Sequence, residues 1–207
     1  MSRDVAPVLS AQLRAQSLVL SDDQVALMAR WVELLLEHNR RTNLVGTTTV
    51  DRACDELVLD SLQALPLLQA WPAGAGARAV DIGSGAGVPG IPLAIALPQL
   101  RWHLVEPRLK RAEFMDHCRR TLPLANVTVS RDHMEDLSAE WDLSVSRAVL
   151  APDAWCEAGL GLVTSGGAVL VWTNGRDWRP AQGRAVGSRS YRLADGRERS
   201  VHLVTGA

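Results

Sequence analysis

The segment Ala79-Val80-Asp81-Ile82-Gly83-Ser84-Gly85-Ala86-Gly87-Val88-Pro89-Gly90 constrains the fold of this chain more than any other. An apolar run carries an acid, glycines follow at alternate positions, and a new apolar stretch starts at Ile91. This pattern is a strand running into a tight turn, and the turn running into a helix. Glycine adopts backbone conformations that other residues resist and lets a ligand lie close to the main chain. The dinucleotide fingerprint G-x-G-x-x-G fails here, because its third glycine position is Val88. A phosphate-cradling P-loop ends in Gly-Lys-Ser/Thr, and this loop has no Lys.

What remains is G-x-G-x-G behind Asp81, an acid suited to a cationic amino-acid group. S-adenosylmethionine carries an ammonium and a sulfonium and no phosphate, so it is the expected cofactor. Asp81, Gly83, Ser84, Gly85, Gly87 and Val88 are the first candidates to bind it. Glu106 follows the second apolar run, 23 positions after Gly83. An acid there accepts hydrogen bonds from free ribose hydroxyls.

Strands are expected at 79–82, 102–105, 127–130, 143–146 and 168–172, with helices at 91–97, 109–122 and 153–162. Strands separated by helices of this length make βαβ units and a parallel sheet. Ser188–Leu193 and Ser200–Val204 flank Asp195-Gly196 as an antiparallel hairpin. Residues 1–75 read as helical: Ser21-Asp22-Asp23-Gln24 is a capping box, and a second helical stretch runs from Val50 to Leu68. The expected fold class is α/β, the class I S-adenosylmethionine-dependent methyltransferase (Rossmann-like) fold. Its sheet is mostly parallel, with an antiparallel C-terminal hairpin and an N-terminal helical extension. Residues 1–75 form the extension and 76–207 the methyltransferase domain, together one compact unit.

Composition narrows the setting. Of the 22 basic residues only Lys110 is Lys, and 23 acids leave a net charge of −1, which excludes non-specific coating of nucleic acid. The total hides an asymmetry, since from Arg176 onward seven Arg face three acids (+4) and the remainder carries −5. Three scattered cysteines and five histidines show no metal-ligand spacing. No apolar run reaches membrane-spanning length. A cytoplasmic monomer without metal or membrane partner is expected.

Longer motifs carry a family resemblance. Asp81 to Ala94, with its Val88-Pro89-Gly90-Ile91-Pro92 extension, resembles the first motif of the glucose-inhibited division protein B family. Asn39 with Asn43-Leu44, Leu59-Asp60-Ser61, Glu106-Pro107 with Lys110-Arg111 and Phe114, and Ser146-Arg147-Ala148 resemble further family motifs, in order. The resemblance implies a methyltransferase acting on a guanine N7 of small-subunit ribosomal RNA, with the RNA or the small subunit as partner. It also implies that Met134 and Glu135 contact the cofactor's adenine.

Three motifs depart from the family pattern, at four positions. Glu56 and Leu57 stand where the family has Arg-His, His133 where it has Arg, and Thr173 near its usual Lys. Each change removes a cation or potential cation from the substrate side. A different substrate, or loss of catalysis with cofactor binding retained, is the competing expectation. Methyl transfer to guanine N7 needs alignment more than acid–base chemistry, so no general base is expected. Arg147 is the expected catalytic-site residue, near cofactor and substrate, positioning guanine O6 or a phosphate. A salt bridge to Asp142 or Asp81 is its plainer role. Arg40, Arg41, Arg108, Lys110, Arg111, Arg176 and Arg179 are the RNA-binding candidates.

Overall fold

A computed structural model describes residues 4–175 and 177–206. Helix α1 spans Val5–Ala15 and α2 Asp22–Thr42. Ser21 and Gln24 close the expected capping box on α2, and Asn43 ends that helix in the left-handed conformation (φ 49°). The expected second helical stretch is not one helix. It consists of α3 (Val50–Ala53), a π-helical turn (Cys54–Leu59), α4 (Asp60–Leu62) and α5 (Leu65–Ala70). At the π-to-α junction the Asp60 N–H donates to Asp55 O, the i→i+5 bond of a π-helix.

From there the chain alternates β1 (Arg78–Ile82), α6 (Gly90–Ala96), β2 (Arg101–Val105), α7 (Leu109–Thr121), β3 (Val127–Ser130), β4 (Trp141–Val145), α8 (Pro152–Leu162) and β5 (Val163–Asn174). The hairpin of β6 (Arg184–Arg192) and β7 (Glu198–Thr205) ends it. Each expected strand and helix of this part is present. The largest difference is β5, which begins five residues early because Val163 follows Leu162 of α8 without a loop. Its first half, Val163–Gly167, lacks the apolar density that marks a buried strand.

The strands form one sheet in the order β3-β2-β1-β4-β5-β7-β6. The first five are mutually parallel, and β7 runs antiparallel to both β5 and β6. This is the order of a doubly wound nucleotide-binding sheet with a hairpin added at one edge. Strand order reverses between β1 and β4, and such sheets bind ligands beyond the strand C-termini at that point.

Side chains alternate across the sheet. One face, with Trp102, Leu104, Leu143 and Leu170, shares a core with Leu9, Trp31, Leu35, Leu62, Ile91 and Phe114 from the helices. The N-terminal helices therefore pack directly on the sheet. Val80, Ile82, Val105 and Val169 on the other face meet Trp155 and Leu162 of α8. No described helix is long and apolar enough to cross a membrane.

Candidate cofactor and substrate site

The glycine loop folds back over the ends of β1 and β2. Gly83 and Ser84 N–H groups both donate to Val105 O (2.8 and 3.1 Å), and Val88 N–H donates to Ser84 O at 2.8 Å. Gly83, Gly85 and Gly87 have φ of 66°, 61° and 91°, conformations that side chains with a Cβ resist. Space is also limiting at Gly83, where a Cβ would sit 2.4 Å from Val149 Cγ2. Sterics and dihedral therefore agree on glycine at this position.

Beside the loop lies a cavity of about 610 Å³. Gly83, Ser84, Gly85, Val88, Glu106, Met134, Glu135 and Arg147 line it, bringing together eight of the cofactor candidates from four separate segments. Asp81 and Gly87 are not on its wall. Gly87 instead turns the chain beneath Ile91, whose Cδ1 would be 2.4 Å from a Cβ at Gly87. Asp81 is fully buried and braces the loop from below: its Oδ2 accepts the Gly90 N–H at 2.9 Å. Burial lifts its carboxyl to about 7, against the hydrogen bond from Gly90 and the charge of Arg147, while the Ser84 hydroxyl donates to the Asp81 backbone carbonyl at 3.0 Å. Its Oδ1 is buried without a partner.

Glu106 is 2% exposed, with one backbone donor on each oxygen: Gly85 N–H on Oε2 and Arg108 N–H on Oε1, both at 3.0 Å. Each oxygen keeps acceptor capacity toward the cavity, and Arg111 Nη1 lies 3.9 Å away. A buried carboxylate with spare acceptor sites beside a glycine cradle fits the ribose and amino-acid ends of S-adenosylmethionine.

The opposite wall comes from the N-terminal helices and explains the Asn-x-x-x-Asn-Leu spacing. Asn39, on α2, accepts the Val45 N–H on Oδ1 at 2.9 Å and donates Nδ2 to Val45 O and Thr47 O, both at 3.0 Å. With Asn43 turning the chain, this clamp puts Leu44 and Val45 on the cavity wall. Leu57, from the π-helical turn, joins them. A second groove of about 1170 Å³ runs along α2 and shares Leu44, Val45 and Arg111 with the cavity.

Arg147 follows β4 and is paired, but with neither acid considered from the sequence. Its Nη1 donates to Asp60 Oδ2 at 2.8 Å, while Asp142 is engaged with the Arg78 N–H. The next residue, Ala148, has φ 63°, and Val149 and Leu150 expose apolar side chains at the cavity mouth (46% and 42%).

The RNA-binding candidates divide. Arg108 and Arg111 line the cavity beside the glycine loop, and Arg40 lines the second groove with Arg111. Arg41 lies with His38 and His117 in a separate depression, and Lys110 is exposed on α7. Arg179 is exposed after β5, and Arg176 lies outside the described residues.

Much of the basic C-terminal charge is compensated in three dimensions. Arg192 pairs with Glu198 (2.6 Å), Arg197 with Glu56 (3.0 Å) and Asp195 (2.5 Å), and Arg199 with Asp60 (2.9 Å). The departures fall into place beside this. Glu56 also takes Arg52 at 2.9 Å, His133 lines the cavity, and Thr173 is buried with its hydroxyl 3.2 Å from His202 Nε2. Sequence reasoning gave Asp60, Tyr191 and Arg199 no joint role. Only the Leu-Asp-Ser motif pointed to Asp60.

Among the described residues no cluster of three His, Cys, Asp or Glu could hold a metal ion. The structure resembles a SAM-dependent methyltransferase from Leishmania major, with TM-score 0.58 at 16% identity, over 84% of this chain and 83% of that one. Among curated proteins the chain is 37% identical to the ribosomal RNA small subunit methyltransferase G of Hahella chejuensis, over 68% of this chain and 63% of that protein. It is 39% identical to the protein of the same name from Wolinella succinogenes, over 68% and 70%. The family model described as GidB, rRNA small subunit methyltransferase G, matches residues 24–178, and the chain belongs to that family.

Proposed function

We propose that this protein transfers a methyl group from S-adenosylmethionine to a guanine N7 of small-subunit ribosomal RNA. The observation that carries the reading is the junction of two features on one cavity: the Gly83–Gly85 cradle with buried Glu106, and Arg147 with the Leu44–Leu57 wall opposite. When bound, S-adenosylmethionine supplies a methyl on an already electrophilic sulfonium. Glu106 would accept hydrogen bonds from the ribose hydroxyls, Met134 and Glu135 would hold the adenine, and Gly83 and Gly85 would leave room for the amino-acid end. Asp81 serves the cofactor through the loop it braces. Arg147 donates to guanine O6, beside the N7 lone pair, while Leu57, Val149 and Leu150 give the base an apolar surface. The N7 lone pair lies in the ring plane and carries no proton, so no base is needed and orientation dominates. Residues 76–207 hold the methyltransferase machinery, and 1–75 complete its wall. The setting is the cytoplasm, with the protein acting as a monomer.

One observation favours a second reading, a different RNA target. Glu56 is an acid held between Arg52 and Arg197 where the family presents cations. One experiment separates the two. Purified protein, methyl-labelled S-adenosylmethionine and either naked small-subunit rRNA or small subunits are combined, and digests are mapped by mass. A single 7-methylguanine is the expected product. Label at another nucleotide selects the second reading, and tight cofactor binding without any labelled RNA overturns both.

A further inference from the structure

Asp60 opens α4 directly after the π-helical turn and is 1% exposed. Four side chains from distant parts of the chain converge on it. Oδ2 accepts from Arg147 Nη1 (2.8 Å) and Arg199 Nη1 (2.9 Å), Oδ1 accepts from the Tyr191 hydroxyl, and the backbone carbonyl accepts Trp172 Nε1 at 3.1 Å. Tyr191 is itself buried, on β6. One carboxylate between two guanidinium groups leaves one positive charge in surplus in this cluster.

The division of the two oxygens has a consequence for Arg147. A free carboxylate binds arginine through two parallel N–H···O bonds, using both oxygens. Here Tyr191 occupies Oδ1, so Arg147 is held through Nη1 alone, its one hydrogen bond among the described residues. The other N–H donors of that guanidinium stay free on a side chain that lines the cavity. Tyrosine suits this task because its hydroxyl is a neutral donor on a rigid ring and adds no charge.

We propose that Asp60 and Tyr191 are a positioning pair: Tyr191 caps one carboxylate oxygen, the other holds Arg147 by one nitrogen, and the remaining donors stay aimed at the methyl-accepting base. The inference rests on the reading of Arg147 as the substrate contact. Neither Asp60 nor Tyr191 touches substrate.

Tyr191→Phe uncaps Oδ1 and lets Arg147 turn to the two-bond arrangement, withdrawing donors from the base. The expected result is a drop in kcat/KM of about tenfold, with cofactor affinity held within about twofold. In an Arg147→Lys background the same substitution should change kcat/KM by less than about twofold, because an ammonium cannot form the two-bond fork. Equal losses in both backgrounds, or no loss in a folded Tyr191→Phe protein, overturn the proposal. A probe that keeps the ring volume does not depend on that variant folding. Tyr191 is the only tyrosine, so 3-fluorotyrosine gives a single ¹⁹F resonance. That resonance should move on Arg147→Lys and on addition of an rRNA fragment, and a resonance that ignores both also overturns the pair. If wild-type protein labels no RNA, the functional reading fails instead, and the response to Arg147→Lys alone decides whether the pair holds Arg147.

Discussion

Asp81 shows how one buried acid can shape a site without lining it. Its unpartnered Oδ1 and its bond to Gly90 lie beneath the loop, in surroundings that favour the neutral carboxyl. Burial raises the pKa to about 7 from an unfolded value near 3.8, so between these limits the folded state holds a proton that the unfolded state has released. Stability from this group therefore falls as pH rises from about 4 to 7 and levels off above that. Asp81→Asn removes the titration, so the variant should gain on wild type over that interval, by up to about 4 kcal/mol. Urea unfolding of both proteins at pH 4, 5.5 and 7.5 measures the gap, and parallel curves would sink the assignment. The expectation that Asp81 meets the cofactor's cation came from its place at the strand end, which is legible in sequence. That its side chain turns under the loop depends on the close approach of Gly90, where a Cβ would meet both Asp81 and Leu104, and no local pattern encodes this.

Among the elements, the π-helical turn departs most from what local pattern dictates. Strands and helices from β1 onward were legible because apolar runs of strand length alternate with helical stretches bounded by Gly and Pro. The stretch from Val50 to Leu68 shows an equally continuous apolar pattern, yet tertiary contacts break it. Asp55 accepts the Ala194 N–H at 3.0 Å, Glu56 pairs with Arg197, and Asp60 takes Tyr191 and Arg199. Together these carboxylates dock the β6–β7 hairpin. The widened turn presents all three to that hairpin, and partners up to 141 positions away along the chain leave no spacing to read. Glu56→Arg restores the family's residue type but sets a third cation against Arg52 and Arg197. Both arginines are well exposed (63% and 49%), so the expected destabilisation is modest, about 1 kcal/mol, and smaller in high salt. Amide exchange in the turn 193–197 should quicken, and the exchange Glu56→Arg with Arg197→Glu should restore protection. Unchanged exchange in the single variant would mean that the hairpin docks without this pair.

At the scale of the whole molecule, the charge of −1 and the +4 C-terminal segment make different statements about RNA once the pairs are known. Arg192, Arg197 and Arg199 are each committed to a carboxylate, and Arg189 donates to Gln63 Oε1 (2.8 Å) and Gln16 O (2.9 Å), stitching β6 to the helices. Four of the segment's arginines are therefore engaged within the fold. Among the described RNA-binding candidates, Arg40, Arg41, Arg108, Lys110 and Arg179 are exposed, two of them beside the cavity or its adjoining groove. Each phosphate neutralised on single-stranded RNA releases counterions, so about five contacts give a log K against log salt slope near −3.5. If every C-terminal arginine met phosphate as well, the slope would steepen beyond about −6. Filter binding of an rRNA fragment across a salt series distinguishes these. A shallow slope means that sequence-specific placement by Arg147 and the apolar wall, rather than bulk attraction, selects the target. A slope beyond −6 would require the C-terminal ion pairs to open on binding and would return the basic segment to the RNA interface.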